Sequence, residues 1–384
     1  MTKTTIDFLA DLIAFPTVSR DSNMDLIRYI QTYLESFGIV SSLTFNDEMT
    51  KANLHAIIGP ADVPGVMLSG HTDVVPIDGQ DWSRDAFTLT EKDGLLYGRG
   101  SADMKGFIAS VLAAVPAMVA AELKRPIHLA FSYDEEIGCI GVRRMIDVLA
   151  DAPVKPTFCI IGEPTEMQPA IAHKGKTGMN CICTGVESHS ALAPFGLNAI
   201  YLASEMITEI RKIQDGIIAT GARDNDYSVP YSTLHVGIID GGTALNIVPN
   251  ECRFKFEIRN VKAEPPRPIV QKLKSAAQVI TDKYKADFAD ANVEIETFNE
   301  YPALNTEPED EVVLFVKSLT GANGHTKVSF GTEGGLFQER LGLPTVVCGP
   351  GSMSQGHKPD EFIAVSELEK CDIFMERLVE RLAN

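Results

Sequence analysis

A chain of 384 residues outgrows a single compact core, so two domains are expected. Its 45% apolar and 22% charged residues are those of a globular protein, and its formal charge of −18 argues against a nucleic-acid or anionic-membrane surface, which would need clustered Lys and Arg. No uncharged apolar run of about 18 residues reads as a membrane span. The opening MTKTTIDFLADLIAFP sets Asp7 and Asp11 at helical spacing and lacks the cleavage pattern of a signal peptide. Seven cysteines without a CxxC pair read as buried thiols of a reducing cytoplasm.

The first 170 or so residues alternate between two periodicities. DLIRYIQTYLESFG carries Leu26, Ile27, Ile30, Leu34 and Phe37 as a helical stripe closed by Gly38. NLHAIIG and GVMLSGHTD read as buried strands, and DMKGFIASVLAAVPAMVAAEL as a long apolar helix with Pro116 inside it. PIHLAFSYDEE and PTFCIIGEP are again strand-like. Strands alternating with helices predict an α/β layer with a largely parallel sheet.

From about Lys176 the texture changes. TGMNCICTGV (strand), LNAIYLASEMITEIRKI (helix), STLHVGIIDGG and ECRFKFEIRN (strands), PPRPIVQKLKSAAQVITDKY (helix) and ANVEIETFN (strand) follow in turn. The order βαββαβ is that of a ferredoxin-like α+β domain. After about Asn299 the α/β style returns with PEDEVVLFVKSLTG, PTVVCGPG and SELEKCDIFMERLVERLA. The expected organisation is therefore a discontinuous larger domain, residues 1–175 and 296–384, with residues 176–295 inserted as a smaller one.

The polar residues able to carry chemistry fall at the ends of predicted strands, where open α/β sheets bind ligands. LSGHTDVVP supplies His71 and Asp73, GRGSADMKG supplies Asp103, YDEE supplies Glu135 and Glu136, IIGEP supplies Glu163, and CGPGSMSQGHKPDE supplies His357. Each alone has a bland explanation: a structural histidine, a helix N-cap for Asp103, a solvated acidic turn, a loop glutamate before proline, an exposed histidine in a Gly-rich turn. Bland residues would scatter, whereas these converge on one edge of one sheet. Mixed imidazole and carboxylate sets suit hard and borderline divalent ions, zinc foremost.

The motifs GHTDVVP, GRGSADMKG, YDEEIG, GEPT, ESHSALAPFG, GGTALNIVP and GPGSMSQGHKPDE, in this order across essentially the whole chain, resemble the co-catalytic zinc aminoacylase/metallopeptidase family M20. The resemblance implies a zinc-peptidase-like α/β catalytic domain carrying the inserted domain as a lid. It also implies two divalent ions, zinc in the first place with cobalt or manganese as alternatives. Asp103 would bridge them, His71 and Glu163 would complete one site, and Glu136 and His357 the other. Glu135 would be the general base, Asp73 would orient His71, and the peptide after Asp103 would be cis. A metal pair polarises an amide carbonyl and makes water nucleophilic near neutral pH.

On the inserted domain, the resemblance implies that His189 reaches the partner subunit's active site in a homodimer and donates to the oxyanion, assisted by Asn246. Arg259 would clamp a substrate carboxylate. In VSFGTEGGLF, read as a flexible loop before a short helix, Gly331 and Thr332 would meet a substrate carboxylate and Glu333 a distal amine; a Gly-rich connector with Glu333 in solvent is the other reading. The segments HTDVVP, IIGEPT and VPYSTLHVGIIDGG look most like members that hydrolyse N2-acetylornithine to ornithine and acetate in arginine synthesis. A small-molecule N-acyl amino acid is thus the expected partner, with no nucleic acid and no membrane. N-succinyl-diaminopimelate or a dipeptide are the alternatives within the family; a succinyl group would call for a further cation such as Lys174, Lys176 or Lys358. A binding protein without catalysis is the remote alternative, disfavoured because the five expected ligands and Glu135 are all present.

Overall fold

A computed structural model describes residues 3–384; Met1 and Thr2 of the opening stretch lie outside the described residues. The chain forms two compact units. Among the described residues, the larger comprises those up to Ala172 with 304–328 and 332–384, and the smaller His173–Ala303 with Ser329–Gly331. The smaller thus begins within the HKG segment and takes in three residues of the VSFGTEGG segment.

The sheet strands of the first part of the chain are β1 (Ser41–Phe45), β2 (Ala52–Ile58), β3 (Val66–His71), β4 (Ile127–Ser132), β5 (Phe158–Pro164) and β6 (Ala170–His173). The smaller unit contributes β7 (Gly175–Thr184), β8 (Thr233–Gly241), β9 (Glu251–Asn260) and β10 (Asn292–Tyr301). The chain then adds β11 (Leu304–Asn305), β12 (Thr326–Val328) and β13 (Thr345–Gly349).

The large sheet runs β1-β2-β4-β3-β5-β13-β6-β11, with β12 beside β6. Its centre is parallel: β4, β3, β5 and β13 run together, while β1–β2, β2–β4 and β13–β6 are antiparallel. The sheet is therefore mixed, where the alternating pattern predicted a largely parallel one. Alternation of elements reports crossovers between strands, but short connections such as the one between β5 and β6 return the chain antiparallel. The parallel strands are buried along their whole length, as a sheet covered on both faces requires.

The helix Gly106–Ala120 packs against the helices Thr5–Ile13 and Val365–Ala383. The stretch Ser101–Ala120 is long and apolar enough to cross a membrane by length and composition, yet it is mostly buried and contains Asp103 and Lys105. It serves as a core helix of the larger unit. Lys105 is fully buried and donates to the main-chain oxygens of Leu12 and Phe15 at 3.0 and 2.8 Å, which caps the end of the first helix.

The smaller unit is a four-stranded antiparallel sheet in the order β8-β9-β7-β10, with the helices Ala199–Thr220 and Pro266–Lys285 on one face. Strand β9 alternates exposed and buried residues, as expected of a sheet with one covered face. This is the ferredoxin-like arrangement expected of a βαββαβ chain. Phe254, Phe256, Met206 and Leu273 lie in its core. All seven cysteines are free and buried, and the Cys181 and Cys183 sulfurs, on one face of β7, are 4.0 Å apart.

Candidate metal centre

The site lies at the carboxyl ends of the parallel strands. His71 is the last residue of β3, Glu163 lies at the end of β5, and Glu135 and Glu136 follow β4 in a turn begun by Asp134 at φ 55°. The loop after β13 brings in His357, and the turn before the helix Gly106–Ala120 brings in Asp103. Close packing shapes this edge: a Cβ on Gly162 would lie 1.9 Å from the Phe107 ring, and one on Gly349 would lie 2.0 Å from the Gly162 carbonyl. Only glycine lets β5 and β13 approach the helix and each other so closely.

Asp103 sits between the two histidines. Its Oδ1 is 3.0 Å from His71 Nε2, and its Oδ2 is 3.2 Å from His357 Nε2. Glu163 Oε1 lies 3.4 Å from His71 Nε2, and Glu136 Oε2 lies 3.0 Å from His357 Nε2. Ligand atoms of His71, Glu135 and Glu163, and likewise of His71, Asp103 and Glu136, converge closely enough to share an ion. Asp103 does not cap the helix: the N-cap position is Lys105, without a side-chain hydrogen bond. The Asp103–Met104 peptide is cis.

Asp73 ties the acidic turn to the rest. His71 Nδ1 lies 2.9 Å from the Asp73 main-chain oxygen and 3.6 Å from its Oδ1, so the carbonyl is the nearer partner for orienting the ring. The Asp73 carboxylate accepts from the main-chain N–H of Glu135 at 3.1 Å, from that of Glu136 at 3.3 Å, and from Ser19 Oγ at 2.7 Å. It therefore holds the turn that presents Glu135 and Glu136 as well as standing beside His71. Asp134 pairs with Lys51 at 2.6 Å, and both are largely buried.

The electrostatics are those of a site built for cations. Burial pushes the Asp103 carboxyl up, but hydrogen bonds from His357 and His71 outweigh it and hold Asp103 well below the usual carboxylate range. Hydrogen bonds to Asp103 and Glu136 lift His357 to about 11. Burial opposes charge on His71, yet Glu163 and Asp103 raise it well above its ordinary value. Burial and the Asp103 charge push Glu136 and Glu163 up to about 7. Burial also lifts Glu135 well above its ordinary value, with Glu163 and Glu136 adding to the effect against His71. Two imidazoles cannot balance these carboxylates, and Glu163 Oε2 is buried without a hydrogen-bond partner. Two divalent cations would satisfy the charge and the orphaned oxygen, and the donor set of imidazole nitrogens and carboxylate oxygens is one they accept.

Of the remaining predicted residues, Thr332 and Glu333 belong to the larger unit, where the Glu333 charge is felt by Glu135 and Glu163, and Gly331, His189, Asn246 and Arg259 belong to the smaller. Glu333 is 2% exposed, neither in solvent nor on a loose loop. Its Oε2 is 3.4 Å from Ser69 Oγ, and burial pushes its carboxyl up to about 7. Thr332 is fully buried, and its Oγ1 accepts from Gly334 N at 3.0 Å. Gly331 belongs to the smaller unit, and a Cβ there would lie 2.1 Å from the Tyr301 hydroxyl.

His189 and Asn246 are exposed neighbours in the smaller unit. The two-residue strands Ser188–His189 and Ile247–Val248 pair, and Ser190 N donates to the Asn246 oxygen at 2.9 Å. Arg259 is half-buried and already engaged, donating through Nε to Glu257 at 2.9 Å and through Nη1 to the Tyr301 hydroxyl at 3.0 Å. Lys51, Arg99 and Glu361, all buried or nearly so, were not singled out from the sequence. Glu361 closes the GHKPDE motif and could have been found there; Lys51 stands in an ordinary polar stretch with nothing to mark it.

Residues 67–381 match the model of peptidase family M20/M25/M40. The chain is similar to the acetylornithine deacetylase of Proteus mirabilis (strain HI4320), 34% identical over 385 residues that cover 98% of this chain and 96% of that protein. In fold it resembles the M20 family metallo-carboxypeptidase Sso-CP2 of Sulfolobus solfataricus, with a TM-score of 0.78 at 20% identity over 99% of both chains. It also resembles the YXEP protein of Bacillus subtilis, described as a dinuclear metal-binding peptidase, with a TM-score of 0.67 at 17% identity over 98% and 97% of the two chains.

Proposed function

Because the chain belongs to peptidase family M20/M25/M40, we propose that it is a dinuclear zinc amidohydrolase acting on an N-acyl amino acid, N2-acetyl-L-ornithine, which it converts to L-ornithine and acetate in arginine synthesis. The observation that carries this reading is the Asp103 carboxylate, with one oxygen 3.0 Å from His71 and the other 3.2 Å from His357, flanked by the buried Glu135, Glu136 and Glu163. His71, Asp103 and Glu163 would hold one ion and Asp103, Glu136 and His357 the other. When bound, the two ions would polarise the amide carbonyl and bring water toward its nucleophilic form.

The chain's own residues do the rest. Glu135 takes the proton from the attacking water as the new C–O bond forms, then delivers it to the amine nitrogen as the C–N bond breaks. Asp73 fixes the Glu135 backbone through its N–H, so the carboxylate meets the water at a set position. His189 and Asn246 would donate to the amide oxygen as charge builds on it, a type of contact typically worth ~3 kcal/mol of barrier. For His189 to do this from a partner subunit, the protein would be a homodimer paired through the smaller unit. In support, strand β8 is a sheet edge, and Ile238, Ile239, Leu245, Phe195 and Tyr201 of that unit are exposed.

The acyl group is read as acetyl because the lysines that a succinyl carboxylate would need are engaged within the chain. Lys174 donates to the Val229 and Tyr231 oxygens, Lys176 lies 3.7 Å from Glu257, and Lys358 donates to the Ser354 oxygen. Seven reduced, buried cysteines accord with a cytoplasmic location.

The test is a panel of N-acetyl, N-succinyl and N-formyl amino acids and dipeptides, scored by kcat/KM on zinc-loaded protein. N2-acetyl-L-ornithine should lead, and a succinylated amino acid leading would refute the substrate. Glu135→Gln should lower kcat by about 10²–10⁴ while metal content stays the same. Turnover above about 1% of the wild-type rate would remove Glu135 from the role of base.

A further inference from the structure

The motif GHKPDE brings His357 to the site, yet its last residue, Glu361, touches none of the candidate ligand side chains. It is nevertheless 1% exposed, and each of its carboxylate oxygens accepts two hydrogen bonds. Oε2 receives Arg99 Nη1 at 2.7 Å and Gly100 N at 3.1 Å; Oε1 receives Ala102 N at 3.0 Å and Asp103 N at 3.1 Å. The carboxylate thus gathers the main-chain N–H groups of the turn from which Asp103 projects. These are donors that the following helix cannot satisfy. Gly98 N also donates to the Glu361 main-chain oxygen at 2.9 Å, so the two segments are stitched together on both sides of the turn.

The network continues to the other ligand. Arg99, also 1% exposed, donates through Nη2 to Gln80 Oε1, and its guanidinium lies 5.0 Å over the Trp82 ring. Trp82 Nε1 donates to the same Gln80 oxygen at 3.0 Å, which orients the amide so that Gln80 Nε2 donates to the His357 main-chain oxygen at 3.0 Å. An unbroken path therefore runs from the Asp103 N–H through Glu361, Arg99 and Gln80 to the His357 carbonyl. At its two ends stand the residues whose side chains meet at 3.2 Å. His357 sits at φ 62°, a conformation a non-glycine residue keeps only where its surroundings hold it.

We propose that Glu361 is a positioning residue for the cation held by Asp103, Glu136 and His357. Through Arg99 and Gln80 it sets the separation of Asp103 from His357, and so the affinity of that site over its neighbour. The proposal rests on the metal-centre reading above. A fully buried ion pair is a poor source of net stability, so its main effect is on geometry. Loss of a partner that orients a ligand typically costs 10- to 100-fold in metal affinity.

The experiment titrates metal-stripped protein with Zn²⁺ or Co²⁺ against a chromophoric chelator, for wild type, Glu361→Gln and Gln80→Ala. Glutamine keeps the shape of Glu361 but turns an NH2 toward donors. Wild type should take two ions. Glu361→Gln should weaken one binding event 10- to 100-fold and leave the other within about threefold, and Gln80→Ala should weaken the same event about fivefold or more. The Co²⁺ absorption of the weakened site should shift in both variants, which a merely structural role would not produce. Two events at wild-type affinity in Glu361→Gln, or equal weakening of both events, would overturn the proposal while the metal-centre reading stands. A wild type that takes up no ion would overturn that reading and the proposal with it. Should Glu361→Gln fail to fold, Gln80→Ala decides: wild-type affinities in that variant would overturn the proposal.

Discussion

Two histidines in the middle of the large sheet make the fold sensitive to acid. His55 on β2 and His128 on β4 face each other with Nε2 and Nδ1 3.2 Å apart, and the remaining ring nitrogen of His128 is buried without a partner. Burial pushes both rings down to about 4, and the neighbouring His55 adds to the fall for His128. Unfolded, each ring would take a proton near 6.5. Unfolding between pH 6.5 and 4 therefore takes up protons, and stability falls as pH falls through that window.

A fall from 6.5 to about 4, at ~1.4 kcal/mol per tenfold change in proton affinity, amounts to about 3 kcal/mol for each ring. His128→Leu removes one ring and fills its space with apolar volume. Urea unfolding of both proteins at steps from pH 7 to pH 4 is the assay, because every other titrating group is common to the two and cancels in the difference. The wild type should lose about 3 kcal/mol more than the variant across this range. Parallel pH profiles would refute the assignment of a buried neutral pair.

Three further outcomes follow from the site and its supports. Gly162→Ala would set a Cβ 1.9 Å from the Phe107 ring, so it should destabilise the protein by about 1–3 kcal/mol in urea unfolding and displace the adjacent Glu163, read as weaker metal uptake. Lys51→Met strands the buried Asp134 carboxylate and should cost about 3 kcal/mol, whereas Asp134→Asn, which tolerates the positive φ and retains an acceptor, should cost less by the same measurement. Stripping divalent ions with a chelator should abolish hydrolysis and lower Tm, because the carboxylates around Asp103 then face one another without balancing charge, and adding Zn²⁺ back should restore both.

Much of the site was legible in the sequence because strand ends are legible. An apolar run followed by a short polar motif marks the carboxyl edge of a strand, and His71, Glu135, Glu136 and Glu163 all stand at such edges. The ferredoxin-like order could be read for a similar reason: each of its elements carries its own periodicity, and β9 alternates cleanly. What local pattern cannot carry is strand direction, which is set by connections and neighbours. Strands β2 and β6, on either side of the parallel centre of the large sheet, accordingly run antiparallel to it.

The sequence alone thus determined the family and which candidate polar groups stand at strand ends, since residue types and their strand-end positions are local properties. Tertiary structure decided what holds those groups in place. The Asp73 carboxylate collects the N–H groups of Glu135 and Glu136, and Lys51 answers Asp134 from 83 positions away. Glu333 is buried rather than exposed, and Glu361 reaches back 258 positions to the N–H of Asp103. Such partners leave no periodic trace, because a hydrogen bond between distant segments depends on where the chain returns and not on its neighbours in sequence. Each is fixed only when the core has brought the segments together and a buried polar group must find a partner.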